Sequence, residues 1–234
     1  MVIGYLLASG SFQGQGVTSS QSSSELGSST NATQPTSASG ASKPVILYVN
    51  QGNGVVNQSN FGKLLDTATS HGFNTIFFQV YRSGTLLFTD SSLGQFVASA
   101  HDRGLKIFFA LYFTASTQEI PGSIFSDGED GVNLDMSTLP SSSQGALLAN
   151  LSSSYSGKTA VTSTDLTTTL KPDLLILETY GTGYDQYIRP GIIASVGVFT
   201  TSSAQEYKQE FQYALTNSDG VMVFDYAGLV KSGY

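Results

Sequence analysis

The segment Phe73–Arg82, FNTIFFQVYR, follows a helix-like stretch ending at His71–Gly72. It packs β-branched and aromatic residues into one run that opens into polar Gln79, Tyr81 and Arg82. An uninterrupted apolar strand needs cover on both faces, which a parallel sheet flanked by helices supplies and a half-solvated antiparallel sheet does not. The same cadence of apolar run, polar tip and amphipathic helix recurs from Pro44 to Tyr226, so a single architecture has to account for all of it.

Strand-like runs fall at 45–50, 73–81, 105–112, 132–135, 159–164, 174–178, 192–199 and 221–225. Between them, 60–70, 91–103, 141–155 and 203–215 place apolar residues at helical spacing, with Asn60 as a cap and Gly72 and Gly104 as stops. The stretch 114–131, with Pro121–Gly122 and the acidic residues Asp127, Glu129 and Asp130, reads as a long loop. The pattern predicts a small (β/α)8 TIM-like barrel. About 185 residues is short beside the ~250 typical of such barrels, so the crossovers after the fifth and sixth strands must be cramped. A doubly wound open sheet is disfavoured because Gln51-Gly52-Asn53-Gly54, after the first strand, matches neither a dinucleotide fingerprint nor a P-loop.

Ahead of the barrel, residues 13–43 are rich in Ser, Thr, Gly and Gln and carry too little apolar surface to offset the entropy of ordering. The expected organisation is a disordered segment or linker over 1–43 and a barrel over 44–234. Met1–Phe12 is mildly apolar and too short to span a bilayer. It reads equally as the remnant of a signal or anchor and as a plain N-terminus. Net charge is -7 and only 12% of residues are charged. That balance argues against nucleic acid as the main partner. With no cysteine, there is neither a disulfide framework nor a thiol nucleophile. The low charge and many hydroxyl residues favour an extracellular or cell-surface setting, with the N-terminal segment as a tether.

The residues that end the predicted strands are Asn50, Gln79 with Tyr81, Tyr112, Asp135, Thr164, Glu178 with Tyr180, Thr200, and Asp225 with Tyr226. In a barrel these ends converge on one face, the face that carries active sites. Glu178 shares strand parity with Ile176, so a carboxylate stands at the rim of an apolar layer, where desolvation favours its protonated form. That suits a general acid. Asp135, after Gly131-Val132-Asn133-Leu134, is its expected partner as nucleophile or base, or else an Asp that closes a turn onto the backbone near Ser137. Asp225 is the third candidate. Two carboxylates suffice for glycoside hydrolysis, with separation deciding between retention and inversion. Tyr81, Tyr112, Tyr180 and Tyr226 offer flat faces and hydroxyls to a sugar. Glu178 has a structural alternative, an ion pair with Arg82.

His71 and His101 sit at helix ends away from the strand tips and are expected to cap them. No metal or other cofactor is expected, since the Asp127, Glu129 and Asp130 spacing fits no calcium loop. No Gly-x-Ser-x-Gly elbow supports a serine nucleophile.

Two segments carry a likeness to a known family. His71-Gly72-Phe73-Asn74-Thr75-Ile76-Phe77-Phe78-Gln79-Val80-Tyr81-Arg82 and Ala100-His101-Asp102-Arg103-Gly104-Leu105-Lys106-Ile107 resemble the second and third β/α units of glycoside hydrolases with a TIM-barrel fold. The resemblance implies a polysaccharide or peptidoglycan-like substrate, binding residues at Gln79 and Arg82, and a catalytic pair at strands four and six, here Asp135 and Glu178. It covers about 40 residues. The chain departs from the family at Ala110-Leu111-Tyr112, where an aromatic residue, often Trp, usually follows the third strand. It is also shorter than the family's members. Both departures leave room for a non-catalytic carbohydrate-binding or cell-surface structural domain on the same scaffold.

Overall fold

A computed structural model describes residues 42–51, 56–88, 90–115, 119–180, 184–200 and 203–233. The reading of residues 1–43 therefore lies almost wholly outside the described residues.

The strands are β1 (Val45–Val49), β2 (Thr75–Arg82), β3 (Thr85–Leu86), β4 (Lys106–Tyr112), β5 (Gly131–Asp135), β6 (Lys158–Ser163), β7 (Leu174–Leu177), β8 (Ile193–Gly197) and β9 (Gly220–Phe224). Eight of them pair in parallel in the order β1-β2-β4-β5-β6-β7-β8-β9, and β9 pairs back onto β1, closing the barrel. Closure leaves no open edge among these eight strands. The ninth, β3, returns antiparallel beside β2 through Ser83-Gly84. Both turn residues have positive φ, the geometry a two-residue hairpin needs to match strand twist.

Helices α1 (Phe61–Ser70), α2 (Asp90–His101), α3 (Ser141–Ser154) and α4 (Ala204–Asn217) cover the barrel, and α5 (Tyr226–Ser232) follows the last strand. Gly72 and Gly104 sit at positive φ just beyond α1 and α2, where a side chain would be strained, so the predicted stops hold. Asn60 makes no side-chain cap to α1. Asn57 instead accepts from the Ser59 N–H at the head of a short 3₁₀ turn that leads into the helix. The cramped crossovers are real: among the described residues no α-helix joins β6 to β7, and β7 to β8 carries only the 3₁₀ turn Tyr184–Tyr187. Among its described residues the β4–β5 connection has only a 3₁₀ turn at Gly122–Ser126.

Strand parity sorts the apolar residues into two cores. Ile46, Tyr48, Phe77, Phe108, Ala110, Ala160, Ile176, Ile193 and Met222 fill the barrel. A larger set, including Leu47, Phe78, Phe109, Val161 and Val223, packs outward against the helices. Gly131 makes room inside, because a Cβ there would fall onto the Phe108 ring and lie 2.7 Å from the Lys158 carbonyl oxygen. Where the chain enters β1, the Lys43 ammonium donates to the carbonyls of Leu215 (2.9 Å) and Ser218 (2.7 Å) at the end of α4. A cation on the last carbonyls of a helix is favourably placed.

Candidate active site

A pocket of about 200 Å³ opens at the carboxyl ends of the strands. Asn50, Gln79, Arg82, Tyr112, Asp135, Ser137, Glu178, Tyr180 and Phe224 line it. The inward parity of β5 and β7 delivers the two acids. Asp135 aligns with Tyr112 and Thr162, and Thr162 aligns with Ile176, so Glu178 stands one pleat above the apolar layer.

The two carboxylates have unlike surroundings. Asp135 is buried, and its Oδ2 accepts from the Tyr48 hydroxyl at 2.7 Å. Its Oδ1 accepts from the Ser137 hydroxyl at 2.8 Å and the Ser137 N–H at 3.3 Å. Burial raises the pKa of Asp135, while these donors and the nearby Arg82 charge oppose the rise and favour the carboxylate. Among the described residues Glu178 has one donor, the Tyr180 hydroxyl at 2.6 Å. Burial pushes its pKa up to about 7; the Tyr180 bond works against this and the charge of Asp135 adds to it. Both phenols are raised well above their ordinary range, chiefly by burial and then by the carboxylates they serve.

The opposite wall is built on β2. Gln79 is buried, and its Oε1 accepts from the Gln51 N–H at 3.0 Å. A β-bulge follows it, shifting the β2–β4 register so that Tyr81 aligns with Leu111 and Arg82 with Tyr112. Arg82 therefore turns to the pocket side, its guanidinium 5.4 Å from the centre of the Tyr112 ring. It stacks there rather than forming the ion pair with Glu178 that the sequence left open.

Asn50, Gln79, Arg82, Tyr112, Asp135, Glu178 and Tyr180 are thus brought together, while three further candidates stand elsewhere. Tyr81 faces the outer core, its hydroxyl donating to the Glu119 carbonyl at 3.0 Å, because the bulge reversed its parity. Tyr226 is buried in the same outer layer at the start of α5. Asp225 is the N-cap of α5, its Oδ1 accepting from the Gly228 N–H at 2.9 Å, and is not among the pocket's lining. A cis peptide bond joins Phe224 to Asp225. The Thr164 hydroxyl donates to the Ser137 carbonyl at 3.0 Å, bracing the loop that holds Asp135. The side chain of Thr200 lies outside the described residues.

Tyr48 and Ser137 complete the site and were not singled out as functional from the sequence. Tyr48 hides in an aliphatic run, although it shares parity with Asn50 and so had to point toward the same end. Of the histidines, His71 does meet the end of α1, with Nδ1 2.9 Å from the Thr67 carbonyl. His101 instead pairs with Asp130 at 2.9 Å, tying α2 to the loop before β5. Among the described residues no group of three His, Cys, Asp or Glu side chains is placed to hold a metal.

No family profile matches the chain, and no curated protein matches its sequence. Solved structures do resemble it in fold. One is CpGH84B, with a TM-score of 0.55 and 8% identity over 77% of this chain and 44% of that one. Another is a GH113 β-1,4-mannanase, with a TM-score of 0.53 and 9% identity over 79% of this chain and 87% of that one. A third is the pneumococcal virulence factor StrH, in a structure concerned with N-glycan recognition and hydrolysis. It gives a TM-score of 0.52 and 8% identity over 80% of this chain and 78% of that one. At such identities the likeness is one of fold: this chain is a TIM barrel, built like several glycoside hydrolases.

Proposed function

We propose that the chain is a glycoside hydrolase acting on a polysaccharide or glycan, with Glu178 as general acid and Asp135 as the ionised partner. The observation that carries this reading is the asymmetry of the acids. Two carboxylates share one pocket. Asp135, the more buried, accepts three hydrogen bonds with the Arg82 charge nearby, which oppose the rise that burial brings. Glu178, half-buried, accepts one among the described residues and has the Asp135 charge adding to its rise. Environments that push two pKa values apart assign the acid and the base. Glu178 gives its proton to the glycosidic oxygen as the C1–O bond breaks. Asp135 either attacks C1, forming an ester that water then hydrolyses, or takes a proton from the water whose oxygen bonds to C1. Arg82, Gln79, Asn50 and Tyr112 are placed to hold hydroxyls. Barrel fold and the sugar-active proteins sharing it support the substrate class.

The test is hydrolysis of methyl hexosides, methyl N-acetylhexosaminides and the matching glycosyl fluorides. Glu178→Gln should lose about 10²–10⁴-fold on the methyl glycosides, whose alkoxide leaving group needs a proton, yet retain the fluorides, whose leaving group needs none. Asp135→Asn should lose both. Variants as active as the parent would sink the assignment.

The pocket's volume favours a second reading, a non-catalytic carbohydrate-binding or cell-surface structural domain. About 200 Å³ is less than the roughly 300–1,000 Å³ usual for small-molecule sites and suits one sugar ring. On that reading the chain binds a monosaccharide without turnover. Under either reading we place it outside the cell or at the cell surface. The low charge and the Ser/Thr-rich N-terminal composition support this, with residues 1–43 as the proposed tether.

A further inference from the structure

We infer that Phe199 is the platform for the leaving-group sugar, so that the substrate is an oligosaccharide spanning the pocket and the rim beside it. This inference rests on the assignment of Glu178 as the acid.

Phe199 lies in the 3₁₀ turn Val198–Thr200 that follows β8, at the same end of the barrel as the carboxylates. Its neighbour Val198 is buried at 3%, whereas Phe199 is 62% exposed. Among the described residues it is the most exposed of the large hydrophobic side chains. Its surroundings fix its place. The ring stands edge-on to Tyr180, with centroids 5.2 Å apart, and to Phe224 at 6.0 Å. Both of those residues line the pocket, and Phe224 in turn touches Tyr48 at 5.0 Å. An aromatic path thus runs from solvent at the rim to the phenol that serves Asp135. Its outer member adjoins the phenol that serves Glu178.

Two arguments turn this position into a role. The pocket has room for one sugar ring, so any further residue of a glycan must lie outside it, and an open aromatic face is what the apolar CH face of a pyranose stacks upon. The acid that protonates the glycosidic oxygen also stands on the side from which the leaving group departs. When the C1–O bond breaks and the oxygen takes the proton of Glu178, the departing sugar is therefore on the Tyr180 side, over Phe199.

The experiment compares Phe199→Ala and Phe199→Tyr with the parent on trisaccharides of mannose, glucose and N-acetylglucosamine and on the corresponding glycosyl fluorides. Phe199→Ala should lose about tenfold in kcat/KM on the trisaccharide and stay within about twofold on the fluoride, and Phe199→Tyr should restore the trisaccharide rate. Equal losses on both substrates would show a packing role and overturn the platform, as would no loss on either. If the parent cleaves none of them, the hydrolase assignment fails separately and calorimetry decides the platform. The trisaccharide must then bind the parent more tightly than its monosaccharide, and Phe199→Ala must remove that difference. A trisaccharide that binds no better than the monosaccharide overturns it.

Discussion

Replacing Glu178 by Gln should make the protein more stable, and only at neutral to alkaline pH. The folded-state pKa of Glu178 is about 7, against an ordinary value of 4.5, because burial penalises the charge and Asp135 adds repulsion. Between those values the native state keeps a proton that the unfolded chain releases. The folded pKa is the raised one, so this group's contribution is fully favourable below about pH 4.5 and is lost as the pH climbs through 7. A gap of about 2.5 pH units at 1.36 kcal/mol each gives a penalty of about 3 kcal/mol at pH 8. Gln carries no charge and its carbonyl oxygen still accepts from Tyr180, so the variant escapes the penalty and keeps the bond. Urea unfolding at pH 4.5, 6 and 8 should show the two proteins equal at the lowest pH. At the highest, the variant should lead by about 3 kcal/mol, roughly 6–12 °C in Tm for a barrel of this size. A difference independent of pH, or a variant weaker at pH 8, would refute the claim that Glu178 is held protonated by its surroundings.

Tyr180→Phe keeps the ring beside Phe199 and removes the donor to Glu178. A hydrogen bond to a charged group is worth about 1.5–3 kcal/mol, so under the proposed mechanism the alkaline limb of the pH–rate profile should move up by about one to two pH units. Asp225→Ala should cost about 1 kcal/mol in chemical denaturation through the lost cap of α5, with glycoside turnover unchanged within about twofold. A hundredfold loss of turnover would return Asp225 to the catalytic set.

The barrel was legible because its strands are buried on both faces and therefore print as apolar runs, from Val45–Val49 through to Gly220–Phe224. Parity then carried the reasoning as far as the carboxylates: Ile176 inside meant Glu178 inside. The same rule applied to β2 would place Tyr81 on the face of Gln79, and there it breaks. One extra residue at the bulge exchanges the faces of everything beyond it, and a bulge at Val80 leaves no mark in a run of β-branched and aromatic side chains. Asp135 shows a different limit. The sequence offered turn closure at Ser137 and a catalytic role as alternatives, yet the turn contact at one oxygen leaves the other free to meet Tyr48 in the pocket. Phe199 went unnoticed because it ends an apolar strand-like run, where exposure depends on the tertiary setting.

The clasp that Lys43 makes with the end of α4 bears on how the protein would carry load. A pull applied through Ser42 reaches that clasp and the ladders of β1 with β2 and β9 first, and it acts along the strands. The carboxylates stand on β5 and just beyond β7, each three strands from β1 in opposite directions around the barrel. A pull at Ser42 would therefore be borne by the backbone pairing of β1, with the two carboxylates on strands across the barrel and Asp135 linked back to β1 through the Tyr48 hydroxyl.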